Sequence, residues 1–433
     1  MGPGEVAAIL FGTFVVLIVI RVPVSFALGL ACIPVFVIDE RLTPILLLNE
    51  MWKSYNSFIL LAVPFFLMAA NLMNSAGITD RLVRLATTTV GHLPGGLGHV
   101  NVLVSMLFAG ISGSSTADAA GIGSLMIPAM KKQGYDTGFS VAITACSSVM
   151  GVIIPPSILM IVWGGLMSVS ISGLFLAGVV PGILIALSMM GTVLVYAKTR
   201  NYPVCQQASL KEFLHSFGQA LLALVTPAIV VGGIIGGFFT PTEASVVAVI
   251  YSALLGGIVY RSIGLREFPA VLYESARLAA ISLFCIGTAS AFGWLLAWFH
   301  LPQALGDAMA GWGTSPTLTG CVVALAFLFV GMFIDAIPAI IVLGTVLLPL
   351  ADKAGMHPIH FAVIGIISLG FGLVTPPYGL CLLISCSLGN IRVVDALKDV
   401  AIVLLPLLIL LFIVVLFPEV VLFLPRLITP DFL

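Results

Sequence analysis

Long apolar runs, separated by short polar or charged stretches, fill almost all of the 433-residue chain. Runs at about 5–20, 22–38, 58–74, 174–197, 219–238, 243–260, 278–298 and 400–417 approach the ~20 residues that a helix needs to cross hydrocarbon. Two regions are different. Residues 98–132 and 318–352 each hold two apolar pieces of about a dozen residues around a break, at Gly113-Ser114 and near Asp335. Pieces so short predict re-entrant helical hairpins that enter and leave on one side. After each comes a long apolar run, 138–168 and 359–388, interrupted by Pro155-Pro156 and by Pro376-Pro377, which predicts a transmembrane helix broken in its middle. The stretches 42–58, 77–93 and 264–278 mix charge with apolar residues at helical spacing and are expected to lie along the membrane surface.

The second unusual region repeats the first. A shift of 221 residues superimposes Phe108 on Phe329, Gly110 on Gly331, Gly151 on Gly372 and both Pro pairs, with twelve identities in the 52 ungapped pairs from 108 to 159. A helix-breaking pair at one register in two hydrophobic halves points to a transporter site built from discontinuous helices.

Composition narrows the class. With 60% hydrophobic and 8% charged residues and a mean hydropathy of +1.22, the chain is a polytopic membrane protein. The net charge of -1 suggests neither nucleic acid nor a polybasic lipid-binding face. No phosphate-cradling GxxxxGK[ST] occurs, so transport is expected to draw on a gradient or on another subunit. The seven Cys sit mostly inside apolar runs and read as small hydrophobes, and the six His show no metal-ligand spacing. No basic segment or small-residue cleavage site accompanies the first run, which reads as an uncleaved span.

Short cytoplasmic loops collect Lys and Arg. If the chain starts outside, only Arg41, Lys53, Lys353 and Arg426 of the 17 basic residues fall outside. The expected fold is therefore an all-α polytopic membrane protein of ten spans and two hairpins. Its halves form an inverted repeat, because an odd number of crossings separates the segments beginning at 58 and 278. The divisions are scaffold helices in 1–60, a first repeat in 61–173, scaffold in 174–262, a second repeat in 263–390, and a scaffold helix with a tail in 391–433.

A helix broken in hydrocarbon frees carbonyls, hard oxygen ligands for a small cation. In the first half the oxygens on offer are those of Ser112 and Ser114 at the tip and the carbonyls of Gly151, Ile154 and Pro156. The shift converts these into Phe333, Asp335, Gly372, Thr375 and Pro377. Phe333 offers only its carbonyl, and neighbouring Gly331 is a further candidate. Adjoining residues, Ser115, Thr116, Asp118, Pro155, Ser157, Ala336 and Pro376, are assigned to the cargo. Gly and Ser also serve close helix packing in membranes, and Asp118 has helix capping as its alternative role. Glu243 reads as a cap. No Arg or Lys falls at the tips or Pro breaks, so a carboxylate cargo would rely on hydroxyls, backbone N–H groups and co-bound cations.

Five segments together, AVPFFLMAANLMNSAGI (62–78), GHLPGGLGHVNVLVSMLFAGISGSSTADAAGIGSLMIPAM (91–130), GVIIPPSILMI (151–161), GFFTPTEAS (237–245) and LVTPPYGLCL (373–382), resemble the large membrane subunit of tripartite ATP-independent periplasmic (TRAP) transporters, the DctM type. The resemblance covers nearly the whole chain. It implies a sodium-driven, elevator-type transporter of the bacterial inner membrane, with sodium as the only metal and no organic cofactor. It also implies a small membrane subunit and a soluble periplasmic binding protein that delivers an organic acid such as a C4-dicarboxylate, sialic acid or keto acid. The family's sodium-ligand pattern falls on Ser112, Ser114, Gly151, Ile154 and Pro156; Phe333 departs from it in the second half. A self-sufficient sodium/carboxylate symporter of the divalent-anion type is the alternative.

Overall fold

The computed structural model describes residues 1–264, 266–309 and 315–430, and every regular element among them is helical. Leu265 of the surface stretch, residues 310–314 ahead of the second hairpin and 431–433 of the tail lie outside the described residues. The chain opens with α1 (Pro3–Val19) and α2 (Val24–Ile38). Helix α3 (Ile45–Tyr55) then meets α4 (Ala62–Ser75) at a 70° bend, and α5 (Ile78–Val90) follows. The first hairpin is α6 (Gly96–Ser112) and α7 (Ser115–Lys132); the first broken helix is α8 (Thr137–Ser148), α9 (Met150–Ile153) and α10 (Ile158–Met167). Next come α11 (Ile171–Arg200), α12 (Leu210–Ile235), α13 (Pro241–Leu254), α14 (Phe268–Trp298) and α15 (Leu301–Met309). The second hairpin is α16 (Pro316–Gly331) and α17 (Ala336–Lys353), the second broken helix α18 (Pro358–Gly372) and α19 (Leu380–Gly389). Helices α20 (Val393–Leu416) and α21 (Glu419–Ile428) close the chain.

Local chemistry sets these boundaries. Ser209 with Glu212, and Thr240 with Glu243, form reciprocal capping boxes that start α12 and α13, so Glu243 is a cap as read. Gly113 ends α6 with a φ of 63°, a conformation that glycine reaches without a Cβ clash. The hairpin arms are longer than the dozen residues expected, at 16 to 18 each. Helical geometry continues past the apolar core into Lys131-Lys132 and Asp352-Lys353, which the apolar pattern could not register. Length alone would make α17 a crossing, yet the short turn at Met332–Asp335 folds it back on α16.

The stretch 264–278 is not a separate surface helix. From Phe268 it belongs to the 31 residues of α14, where nothing between Pro269 and Trp298 breaks the helix. Its register mate in the first half contains Asn56-Ser57 between α3 and the turn Ile59–Leu61, and there the chain bends.

Helices α11 and α20 pack on each other and on the hairpins and broken helices. A Cβ on Gly98 of α6 would stand 2.8 Å from Val193 of α11, and one on Gly182 of α11 would stand 2.5 Å from Ile154. Arg200, in the last turn of α11, reaches Asp136 at 2.7 Å and Asp399 of α20 at 2.9 Å, while Phe139 of α8 stacks on Tyr196 at 4.6 Å. Charge and aromatic pairing between residues so far apart in the chain, 199 residues for Arg200 and Asp399, has no local periodicity to announce it. The two broken helices meet at Trp163 of α10, which lies 5.3 Å from Phe361 of α18 and 5.5 Å from Phe327 of α16, ring to ring.

Candidate ion and cargo site

Each Pro pair lacks two N–H donors, so two carbonyls one turn earlier lose their helical partners. In the first half these belong to Gly151 and Val152. The Val152 carbonyl accepts a hydrogen bond from the Ser157 hydroxyl at 2.7 Å, and Ser157 Oγ in turn caps α10 by accepting from Met160 N at 3.3 Å. Ser157 is thereby fully engaged in holding the break. The Gly151 carbonyl has no such substitute.

Facing Gly151 is Asp118, on the first turn of α7 and completely buried. One carboxylate oxygen pairs with the Ser112 hydroxyl; the other, Oδ2, has no hydrogen-bond partner. Asp118 therefore does not cap α7; Ser114 does, accepting from Ala117 N at 3.5 Å. The approach is close enough that a Cβ on Gly151 would lie 2.4 Å from Asp118 Oδ2. A buried carboxylate oxygen without a donor costs several kcal/mol, on the order of the ~3–5 kcal/mol of a broken buried ion pair, unless a proton or a cation neutralises it. Ser112, Asp118 and Gly151 thus converge at the tip, with Asp118 Oδ2 enclosed between them and left without a donor. Ser114 turns the other way, 3.2 Å from the Thr116 hydroxyl.

The second half resolves the same problem differently. The Gly372 carbonyl accepts from Thr375 N at 3.0 Å, the Leu373 carbonyl from Cys381 N at 3.0 Å, and the Thr375 hydroxyl donates to Phe371 O at 2.6 Å. Gly331 and Gly372 let the two backbones touch, with a Cβ on Gly372 meeting the Gly331 main chain at 2.7 Å. Asp335 caps α17 by accepting from Ala336 N at 2.8 Å. Phe333 carries its ring away from these oxygens, against Phe329.

Both tips line one cavity of about 330 Å³, walled by Ser112–Ala117 on one side and Asp335–Ile337 on the other. Of the residues assigned to cargo, Ser115, Thr116 and Ala336 line it; Asp118, Pro155, Ser157 and Pro376 do not, being held behind the tips or within the breaks. Two polar residues that the sequence did not single out complete the wall, Asn71 of α4 and Ser282 of α14. Asn71 Nδ2 donates to Ser275 Oγ of α14 at 3.0 Å. The repeat could not flag Asn71, because its register mate is Phe292. No Lys or Arg lines the cavity, and among the described residues no three His, Cys, Asp or Glu gather as a metal cluster. The first turns of α7, α10 and α17 all reach it, which favours a bound anion.

Two hairpins, two broken helices and one shared cavity define a polytopic carrier with an inverted repeat. Residues 11–420 match the family described as the tripartite ATP-independent periplasmic transporter, DctM component. The chain belongs to that family, and so to the large permeases of TRAP transporters in the bacterial inner membrane. It is 39% identical to an uncharacterized protein, YgiK, of Salmonella typhimurium over 98% of each chain. It is 37% identical to the sialic acid TRAP transporter large permease SiaM of Vibrio cholerae, covering 94% of this chain and 95% of that one. The crystal structure of the Alcanivorax borkumensis YdaH transporter shares the fold, with a TM-score of 0.60, 16% identity and coverage of 85% and 86%.

Proposed function

We propose that this permease couples the inward movement of a small organic acid to sodium. The observation that carries the reading is the unpartnered Asp118 Oδ2 enclosed between Ser112 and Gly151, directly behind the cavity tip. Sodium there supplies the missing partner. The cavity itself offers a carboxylate, Asp335, and hydroxyls, but no cationic side chain. An acid would meet repulsion from Asp335 unless cations were bound first, so ion and cargo stabilise each other's binding, the reciprocal linkage of coupled sites. The sialic acid relative supports a carboxylate cargo; C4-dicarboxylates and keto acids fit the same donors.

The hairpins, the broken helices, α11 and α20 would move as one body against α1, α2, α12, α13 and α14, carrying the cavity with them in an elevator cycle. A periplasmic binding protein delivers the acid, and a small membrane subunit completes the permease. Proteoliposomes holding both membrane subunits, supplied with the soluble protein and a labelled acid, test this. Uptake should follow an inward sodium gradient and ignore ATP. Equal uptake with potassium in place of sodium would refute the coupling, and uptake by this chain alone would favour a self-sufficient symporter.

A further inference from the structure

The register that aligns the two tips sets Phe333 opposite Ser112, and Phe333 takes no part in the ion and cargo site. Its ring stacks on Phe329 of α16 with centroids 5.2 Å apart. The pair walls a second cavity, of about 430 Å³, bounded by apolar side chains alone. Opposite stand Phe14 and Ile18 of α1, and Phe292 of α14 closes the inner end, where Phe14 meets it at 6.2 Å. The cleft therefore lies at the depth of the hairpin tip, on the border between hairpin 2 and the helices it would slide along. At hairpin 1 that border is filled by protein, since a Cβ on Gly110 would touch Pro227 of α12 at 3.4 Å.

The cleft opens sideways past Val19, 74% exposed, and Phe329, 61% exposed. In a membrane-spanning helix, exposure of this kind faces hydrocarbon. Water has no place inside, because a buried water needs two to four polar partners. Leaving the space empty forfeits dispersion contacts along the whole lining. At this depth a bilayer presents hydrocarbon chains to every open face of the protein. What remains is a linear, apolar occupant available at this depth. We propose that a phospholipid acyl chain fills the cleft between α1 and hairpin 2, packed against Phe329 and Phe333. A mobile tail in place of fixed side chains lets hairpin 2 shift along α1 by exchanging lipid contacts rather than by breaking an interlocked core.

Photolabelling tests the assignment. The full-length chain is placed in nanodiscs containing a phosphatidylcholine with a diazirine near the end of its acyl chain, irradiated, and mapped by peptide mass spectrometry. Adducts should concentrate on Phe329–Ile334 and Phe11–Val19, above the level on the lipid-exposed face of α12 at Leu214 and Leu221. Filling the cleft with Val15→Trp should cut the adducts severalfold while α12 labelling persists, which also reports that the variant is folded. Leu343→Trp fills it from the opposite wall and should act alike if the first variant does not fold. Cleft labelling no stronger than that of α12, or unchanged by a folded Trp variant, would overturn the proposal. Loss of the adducts when the small membrane subunit is bound would overturn it in favour of a protein occupant.

Discussion

The amide of Ile158 donates to the carbonyl of Gly113 at 3.2 Å, tying the lower half of the first broken helix to the tip of the first hairpin. Its counterpart in the second half joins Gly379 N to Met332 O at 3.3 Å. The 221-residue shift maps Ile158 onto Gly379, but it maps Gly113 onto Ile334, two residues beyond the acceptor actually used. The repeat thus preserves the bond and slides the tip. With that displacement Ser112 stands opposite Gly331 and Ser114 opposite Phe333, so neither tip serine has a hydroxyl counterpart in the second half.

Replacing Ser112 with Ala, or Asp118 with Asn, should weaken sodium binding by at least about tenfold, the worth of a hydrogen bond or contact to a charged group at ~1.5–3 kcal/mol. The measurement is the sodium-dependent shift of the melting temperature in detergent. Ser157→Ala offers a contrast: it removes the partner of the Val152 carbonyl and should lower the melting temperature with or without sodium. An undiminished sodium shift in both Ser112→Ala and Asp118→Asn would exclude this cluster as the ion site.

Gly151→Ala and Gly372→Ala should each destabilise the chain by about 1–3 kcal/mol, the usual cost of overpacking. Their added Cβ atoms would meet Asp118 Oδ2 at 2.4 Å and the Gly331 main chain at 2.7 Å. Gly218→Ala in α12, with nothing within 4 Å, should instead stabilise by roughly 0.5–1 kcal/mol as a helix-interior change. Thermal unfolding of the three variants side by side gives the comparison, and equal effects at all three would show that neither close approach is real.

Much of this architecture is legible in the chain. The Pro pairs, the Gly-Ser tip and the spacing of apolar runs announce hairpins and broken helices, since backbone polar groups in hydrocarbon tolerate few arrangements. Long-range pairing is not announced. Nothing near Arg200 signals Asp399, and so the attachment of α11 and α20 to the hairpins is invisible until the chain is folded. The cavity's Asn71 and Ser282 are similarly silent, being ordinary polar positions on helices whose repeat mates lack them.

Acid should loosen the Arg200 end of this assembly. The Tyr202 hydroxyl and the Arg200 guanidinium, each 2.7 Å from Asp136 Oδ2, hold that carboxyl below its ordinary value of 3.8. A depressed folded value contributes stability that is fully present above the unfolded value and is lost as pH falls through the folded one. Melting temperature should therefore begin to drop below about pH 4, and Asp136→Asn should lower it at neutral pH while flattening that acid limb. A variant whose acid limb matches the native one would remove Asp136 from the account.

The inverted arrangement itself can be tested from outside the membrane. Lys131 ends hairpin 1 with its ammonium 3.0 Å from the Gly389 carbonyl, beside the Arg200 cluster that the charge distribution assigns to the cytoplasm. Lys353 ends hairpin 2 and pairs with Asp307 at 2.9 Å, on the face assigned to the periplasm. In a background without the native thiols, Lys131→Cys should react with impermeant maleimide only after the cytoplasmic face is opened, and Lys353→Cys should react on intact cells. The loss of either lysine removes only a partly exposed polar contact, so both variants should fold. Reaction of both positions from one side would mean that the hairpins enter from the same face, which would refute the inverted arrangement of the two halves around the cavity that Ser114 and Asp335 line.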